Sequence, residues 1–340
     1  MMMKRLLRLT LGLGVVAAII AVGIVAPSGA QAQSVGDASQ GLEISPALVE
    51  LNAEPGKTYT LKIKVTNVTV TKLTYTTAIN DFTSQGEAGS PRILIDSTLP
   101  ASASVTGWIS ALSGFTLDSR ESRTLEATVN VPADAEPGGH YGVIRFSGRA
   151  PELEDSGVGL SASAGMLVLI RVAGDITESA SIAEFFTAKK GDQTSLFEAA
   201  PIEFVTRIKN DGNIHVKPVG TIEVTDMFGN LTGTVSVNGD TKSNVLPDSI
   251  RRFETSLNPD GWMFGAYTAN LTLGYGTTGQ ALTKTISFWV IPYKLIAVIL
   301  VSLITLVFIA SRLIKVYNKR IIAKAHHENN KNKKQPKKNS

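Results

Sequence analysis

The chain contains no cysteine among its 340 residues. A disulfide framework, a thiolate zinc site, an iron–sulfur cluster and a cysteine nucleophile are therefore excluded, as is a lipid anchor on an acylated cysteine. Histidine is scarce as well, because only His140 and His215 precede the C-terminal tail. His215 has no second metal-ligand candidate spaced nearby, and both residues flank turns. We therefore predict structural positions for both histidines, and neither a metal nor a cofactor.

Motifs that mark common enzymes are also absent. The sequence holds no His-Glu-x-x-His, no Gly-x-Ser-x-Gly, no P-loop and no Ca²⁺ loop. Acidic groups such as Asp134 with Glu136, or Glu152 with Glu154, could serve a glycosidase, but in exposed loops they are usually solvated charge. No Leu-Pro-x-Thr-Gly sequence is present either, which disfavours covalent attachment to a wall. We therefore predict that the protein is not an enzyme.

Positive charge is missing from the body of the chain. The net charge is +4, but residues 312–340 carry ten basic residues and one acid, and three more basic residues lie within residues 1–8. Residues 9–311 are left with a net charge of −8. Nucleic-acid binding requires basic residues on the folded part of a protein to neutralise phosphates. We therefore predict no nucleic-acid partner.

Residues 1–32 have the pattern of a secretory signal peptide. Basic residues come first, residues 9–26 form an uncharged stretch of 18 residues, and Ala30-Gln31-Ala32 offers a small-x-small cleavage site after Ala32. Because 18 uncharged residues are almost enough to cross a bilayer, a retained N-terminal anchor is the alternative.

A second apolar segment lies near the C-terminus. Between Lys294 and Arg312 there are 17 uncharged residues, which as a helix span about 25 Å against a hydrocarbon core of ~30 Å. Trp289 and Tyr293 precede this segment, and such aromatic residues are enriched at membrane interfaces. We predict a transmembrane helix over residues 295–311, with Trp289, Tyr293, Lys294 and Arg312 at the membrane interface.

The basic segment 312–340 predicts the orientation of this helix. Basic flanks stay in the cytoplasm, so we expect a single-pass protein of the cell membrane with residues 33–290 extracellular. The tail is too polar to fold alone, and its charge attracts anionic lipid, so the helix and the tail make membrane lipid a partner.

The exported part has the sequence pattern of β-strands. In residues 59–66, apolar and polar residues alternate without a fault after the turn at Pro55-Gly56. Similar segments recur at intervals of about 8–12 residues, as in antiparallel sandwiches. The predicted strands cover residues 42–51, 59–66, 125–131, 141–146, 166–172, 202–209, 219–225, 232–237, 251–257, 266–275 and 282–290. Short helical turns remain an option for residues 181–186.

These strands fit an all-β fold of two tandem immunoglobulin-like β-sandwiches followed by one C-terminal transmembrane α-helix. We place the first sandwich at residues 41–150, an acidic and small-residue connection at 151–164, and the second, membrane-proximal sandwich at 165–291. One strand in each ends in asparagine, Asn67 and Asn210, as expected for two sandwiches of related topology.

Three aromatic residues are candidates for partner binding. Trp108 lies beside apolar residues and could be a core anchor or a ligand platform. Trp262 and Phe264 follow a turn and are better candidates for an exposed apolar patch, or for contact with lipid headgroups.

As an ordered set, several motifs resemble the bacterial WxL-interacting protein family. The resemblance covers residues 42–291 and rests on Ile44-Ser45-Pro46 with Pro55-Gly56, Trp108-Ile109 before Phe115-Thr116-Leu117, Val131-Pro132 before Gly138, Gly139 and Tyr141-Gly142, Ile208-Lys209-Asn210, and Phe264-Gly265-Ala266-Tyr267. It implies a signal peptide, two immunoglobulin-like domains, one membrane helix and a basic cytoplasmic tail. It also implies peptidoglycan binding by the first domain and binding of a partner or host protein by the second.

We therefore predict a non-enzymatic, membrane-anchored bacterial cell-surface protein. It would bind cell-wall polymer, surface proteins or both, using loops and an exposed sheet edge to which a partner adds a strand. The alternative is an envelope assembly factor, or a chaperone for an exported appendage or surface layer.

Overall fold

The computed structural model describes the backbone of residues 41–149 and 161–333, and the side chains of 41–149 and 163–323. The predicted signal peptide, its cleavage site after Ala32 and residues 151–160 of the predicted connection lie outside the described residues.

Within the described ranges the protein is mostly β-sheet with one C-terminal apolar helix, which confirms the predicted class. The first nine strands are β1 (Glu43–Ser45), β2 (Leu48–Ala53), β3 (Thr58–Thr66), β4 (Leu73–Gln85), β5 (Ser90–Leu94), β6 (Phe115–Leu117), β7 (Ser122–Asn130), β8 (Gly138–Arg149) and β9 (Ser161–Val172). The next nine are β10 (Ala180–Lys189), β11 (Asp192–Gln193), β12 (Leu196–Phe197), β13 (Ile202–Asn210), β14 (Val219–Asp226), β15 (Leu231–Val237), β16 (Ile250–Leu257), β17 (Gly265–Tyr275) and β18 (Gln280–Val290). The helix α1 is Tyr293–Lys333.

Strands β1 to β9 form two sheets around one core. One sheet has the order β1-β3-β7 and the other has the order β2-β9-β8-β4-β5, with β6 pairing with β4. The alternation predicted in β3 is observed, because Leu61, Ile63 and Val65 are buried in this core and the residues between them face solvent. We call this sheet pair the first sandwich.

Strands β10 to β18 repeat the arrangement around a second core. The sheets have the orders β11-β10-β13-β16 and β12-β18-β17-β14-β15. The second of these matches the larger sheet of the first half strand for strand, including a parallel pair at its edge, β2 with β9 and β12 with β18. We call this sheet pair the second sandwich.

The segment predicted as one strand over residues 42–51 is divided between two sheets. β1 pairs with β3, whereas β2 crosses to the opposite sheet and pairs with β9. Pro46 lies between them, and proline has no N–H with which to continue a ladder.

Two further expectations differ from the structure. Residues 165–172 were assigned to the second sandwich, but β9 pairs with β8 along its whole length and buries Met166, Val168 and Ile170 in the first core. The helical turns considered at residues 181–186 are instead part of strand β10, which pairs with β13. In both cases pairing with a distant strand decided the outcome.

Two residues, Ile291 and Pro292, separate helix α1 from β18. Its segment Tyr293–Ala323 is long and apolar enough to cross a membrane, and its apolar stretch is not buried against the rest of the protein. The tail was predicted not to fold alone, but its first part continues the helix as far as Lys333. The reason is that an already formed helix extends without a new nucleation step.

Candidate functional site

His140 and Trp108 lie together in the first sandwich. His140 is fully buried in strand β8, and its ring nitrogens lie 3.2 Å from the carbonyl oxygen of Ser104 (Nδ1) and 2.9 Å from that of Glu136 (Nε2). Trp108 packs against the first core, and its ring centroid lies 4.3 Å from that of His140. Because a backbone carbonyl oxygen lies in front of each ring nitrogen, neither nitrogen is open to a metal ion.

His215 lies where the two sandwiches meet. Its Nδ1 is 3.4 Å from the hydroxyl of Tyr141, and its ring contacts the Tyr141 ring edge-on. Burial lowers the pKa of His215 from 6.5 to about 4, and the positive charges of Lys217 and Arg171 act in the same direction, against the opposing effect of Glu50. His215 is therefore neutral in the folded protein near pH 7, and it acts as a packing group of the junction.

This burial predicts a pH dependence of stability. In the unfolded chain His215 binds a proton below pH 6.5, whereas in the folded protein it does so only below about pH 4. The contribution of neutral His215 to the free energy of unfolding is therefore fully present above pH 6.5 and is lost as the pH falls towards 4. The loss amounts to about 2 kcal/mol after allowing for the partial exposure of the ring. Unfolding of the full-length protein in detergent at several pH values measures this loss. Asparagine does not titrate, so His215→Asn should make the free energy of unfolding depend less steeply on pH between 6.5 and 4. An unchanged dependence would contradict the prediction.

Acidic and histidine side chains form no group of three or more that could hold a metal ion within the part of the chain that the structure describes. Of the acidic groups considered for a glycosidase, Glu152 and Glu154 fall outside the described residues, and Asp134 and Glu136 lie in the loop before β8.

An apolar cluster joins the two sandwiches. Phe82, Tyr141, Val143 and Leu169 form a small buried cluster on the first sandwich, and Leu246 of the second packs against it. The backbone continues this junction, because the N–H of Gly139 donates to the carbonyl oxygen of Asn213 over 2.8 Å.

Charged groups add to the junction. The carboxylate of Glu87, in the turn between β4 and β5, accepts two hydrogen bonds from Arg207, of which the one from Nε is 2.8 Å long. The carbonyl oxygen of Glu87 accepts the N–H of Arg252 over 2.8 Å. The carboxylate of Glu50 contacts Lys217 at 2.5 Å and Asn244 at 2.8 Å. These contacts join the two sandwiches and make the junction a structural element.

In the larger sheet of the second sandwich, the outer edge of β18 has the longest stretch without a paired strand. In the first sandwich, β2 covers six residues of the corresponding strand β9, but β12 covers only Trp289 and Val290 of β18. Along residues 280–288 the described chain places no strand beside β18 on this side. Such an edge is a template for pairing with another chain.

The hydrogen bonds at the end of β18 show which residues face outward. The N–H of Trp289 donates to the carbonyl oxygen of Ser195 over 2.7 Å, away from β17. Because N–H and C=O directions alternate along a strand, Ala281, Thr283, Thr285 and Ser287 also direct both groups outward. Eight backbone groups are thus directed away from β17 and have no strand beside them.

A cavity of about 430 Å³ lies next to this edge, between β18 and β10. Its walls include Phe185, Phe186 and Ile286 together with residues 193–195. Ile182 and Leu282 lie on the same side of the sandwich and are only partly buried. The open edge therefore has a recess with both polar and apolar walls, which can take side chains of an added strand. We call the edge and this recess the open side of the second sandwich.

The predicted partner-binding aromatics are exposed elsewhere. Trp262 is 84% exposed and Phe264 is 60% exposed, in the loop between β16 and β17. Trp289 and Tyr293 are about half exposed near the start of α1, and the Lys294 ammonium contacts Glu198 at 2.5 Å. Arg312 lies further along the helix, over the ring of Phe308. None of these residues lines the recess of the open side.

Sequence reasoning found β18 but not its open edge. The alternation over residues 282–290 marks a strand, whereas the absence of a neighbour depends on how far residues 195–197 follow it. Nothing local in residues 194–201 indicates that β12 would be only two residues long.

No protein-family model and no curated protein sequence matches the chain. Solved structures that it is similar to include the YadV chaperone, at 10% identity over 73% of this chain and 100% of that chain, with a TM-score of 0.35. The class 5 fimbriae chaperone CfaA is 13% identical over 72% of this chain and 98% of that chain, with a TM-score of 0.38. The Pseudomonas aeruginosa CupB2 chaperone is 11% identical over 71% and 97%, with a TM-score of 0.31. Such identities and scores do not identify a function, and the resemblance to WxL-interacting proteins stays a prediction.

Proposed function

We propose that the protein is a non-enzymatic, single-pass membrane protein that binds an extended segment of another exported protein. Its extracellular part comprises two tandem immunoglobulin-like β-sandwiches, α1 spans the membrane, and the basic tail lies in the cytoplasm. The partner segment adds a strand to the open side of the second sandwich.

The unpaired edge of β18 is the observation that carries this proposal. Strand addition obtains affinity from backbone hydrogen bonds and specificity from pockets for alternate side chains. β18 offers outward N–H and C=O groups from Ala281 to Ser287, and Phe185 and Ile286 line the recess beside them. The expected partner segment is therefore extended, about seven residues long, with apolar residues at alternate positions.

A role in the assembly of exported subunits fits this chemistry. An assembly factor or chaperone holds an extended segment of its client by strand addition, as in donor-strand complementation. This role is the alternative drawn from the sequence, and it supplies the class of partner for the open side. Binding of cell-wall polymer and peptidoglycan has no counterpart in this geometry and stays a prediction from the sequence and the family resemblance.

Thr285→Pro tests the proposal. Proline removes the outward N–H of residue 285 and places its ring where an added strand would lie, while the hydrogen bonds of β18 to β17 come from other residues. The full-length protein in detergent is presented with a displayed library of twelve-residue peptides. We expect selected peptides with alternating apolar residues, whose affinity falls at least tenfold for Thr285→Pro.

Thr285→Ala is the matched control, because both substitutions remove the 2.8 Å hydrogen bond from the Thr285 hydroxyl to Asn270. We expect a change of less than threefold for the alanine variant. Equal binding by the proline and alanine variants, at equal unfolding midpoints, would refute strand addition at β18.

A further inference from the structure

Three exposed aromatic side chains lie at one end of the second sandwich. Phe228, in the turn between β14 and β15, is 80% exposed, and Trp262 and Phe264 are 84% and 60% exposed. The strand register places them at the same end, because Asp226 pairs with Tyr267, and Gly265 pairs with Val290. We call Phe228, Trp262 and Phe264 the apolar tip.

The turn that carries Phe228 is well ordered by Asp226. The Asp226 carboxylate accepts hydrogen bonds from the N–H groups of Phe228 (2.8 Å) and Asn230 (2.9 Å), and the backbone of Gly229 has a φ of +85°. A side chain at Gly229 would be strained in this conformation. Phe228 is therefore held at the apex of a turn, with its ring directed away from the core.

The loop that carries Trp262 and Phe264 is anchored to the second core by the residue between them. Met263 is buried in the second core at 7% exposure, while its neighbours Trp262 and Phe264 are exposed. The N–H of Phe264 donates to the hydroxyl of Tyr267 over 2.9 Å. A Cβ at Gly265 would lie 2.1 Å from Cε of Met227, so the two turns touch. The two turns that carry the apolar tip are therefore adjacent.

The apolar tip lies beside the start of α1. Only Ile291 and Pro292 separate β18 from the helix, and the N–H of Ile291 donates to the carbonyl oxygen of Phe197 over 2.8 Å. The ion pair of Lys294 with Glu198 ties the first turn of the helix to the same sandwich. Because neighbouring strands are about 4.8 Å apart, β14 lies only about 10 Å from β18. A helix that spans a bilayer from Tyr293 therefore brings the apolar tip to the bilayer surface.

We propose that the apolar tip inserts into the interfacial region of the bilayer that α1 crosses, and so sets the tilt of the extracellular part. This inference rests on the membrane anchoring in the proposed function. Aromatic residues are enriched at membrane interfaces, and an exposed cluster that continues the Trp289 and Tyr293 belt fits that environment. Asp260 adds negative charge nearby and Glu198 is paired with Lys294, so no excess of positive charge lies beside the tip and the matching surface is zwitterionic, bound through apolar contact.

Tryptophan fluorescence in nanodiscs of phosphatidylcholine tests the inference. In the full-length variant with Trp108→Phe and Trp289→Phe, Trp262 is the sole tryptophan. We expect its emission to be shifted to the blue, and to fall at least twofold when the lipids carry a nitroxide near the headgroup. Adding Phe228→Ser and Phe264→Ser should return the emission to that of a solvated indole, whereas Val70→Ser, on the first sandwich, should not.

A second reporter separates this inference from the anchoring on which it rests. Leu303→Trp, in a chain without the three native tryptophans, reports on the middle of α1 and should be quenched by a nitroxide deep in the acyl chains. If this helix reporter is not quenched, the membrane anchor itself is refuted. If the helix reporter is quenched but Trp262 remains solvated, the apolar tip does not contact lipid, and a protein surface is its remaining occupant.

Discussion

Replacing Asp81 by alanine is expected to lower the free energy of unfolding by about 4 kcal/mol. Asp81 lies in β4 and is fully buried, and its carboxylate accepts five hydrogen bonds. The donors are the N–H groups of Leu99 (2.9 Å), Val105 (3.0 Å) and Thr106 (3.2 Å) and the hydroxyls of Ser104 (2.7 Å) and Thr106 (2.8 Å). Each donor left unpaired in the interior costs about 1 kcal/mol or more, and hydroxyls can turn to other partners.

Chemical denaturation of the full-length protein in detergent measures this loss. Asp81→Asn keeps the shape but turns an amide donor towards groups that also donate, so an intermediate loss of about 2 kcal/mol is expected. Asp96, an exposed acid before the same loop, provides the control, and Asp96→Ala should stay within about 0.5 kcal/mol of the unchanged protein. Equal effects of Asp81→Ala and Asp96→Ala would contradict an organising role for the Asp81 carboxylate.

Asn67→Ala and Asn210→Ala are each expected to lower the free energy of unfolding of the protein by about 3 kcal/mol. Both side chains are fully buried at the end of corresponding strands, β3 and β13. The amide nitrogen of each donates over 2.7 Å to the carbonyl oxygen four residues later, Thr71 or Ile214. The amide oxygen of each accepts an N–H two residues later, over 3.0 Å and 2.9 Å. Alanine would leave these backbone groups unpaired in the interior.

Because the junction connects the two sandwiches, we expect Asn67→Ala and Asn210→Ala to shift one shared unfolding transition. Apolar packing at Tyr141 and the Glu87–Arg207 pair connect the sandwiches, so each stabilises the other. Unfolding is followed by the fluorescence of Trp108, which packs against the first core, and by far-UV circular dichroism, which reports on the strands of both sandwiches. Asn52→Ala, an exposed asparagine in β2, is the control. Separate transitions, with Asn67→Ala shifting one and Asn210→Ala the other, would show that the junction does not couple them.

The likeness of the two halves was visible in the sequence only as a hint. Asn67 and Asn210 follow strands of similar composition, and that pattern predicted two related sandwiches. The structure adds the reason, since each asparagine bonds the turn that follows its strand in the same way. It also adds the matching sheet orders, which depend on contacts between residues far apart in the chain.

Histidine illustrates what local patterns leave undecided. Both histidines follow turns, and the prediction of structural positions for them fits the contacts observed. Nothing local indicated that His140 would be fully buried beside Trp108, or that His215 would lie against Tyr141 from 74 residues earlier in the chain. The first environment arises within the first sandwich, where β8 meets the loop between β5 and β6, and the second arises where β8 and the loop after β13 meet at the junction.

The amino-acid sequence by itself determined most of the segments that become strands, though not β4 or β10, and the segment that becomes the apolar helix. That information is local, because alternation with period two and an unbroken apolar stretch each favour one backbone conformation. Only the tertiary structure decided that β9 belongs to the first sandwich, that β18 keeps an open edge and that Phe228 joins Trp262 and Phe264. Those outcomes depend on which distant strands pair, and pairing is selected by the burial of whole faces and by register across the sheets.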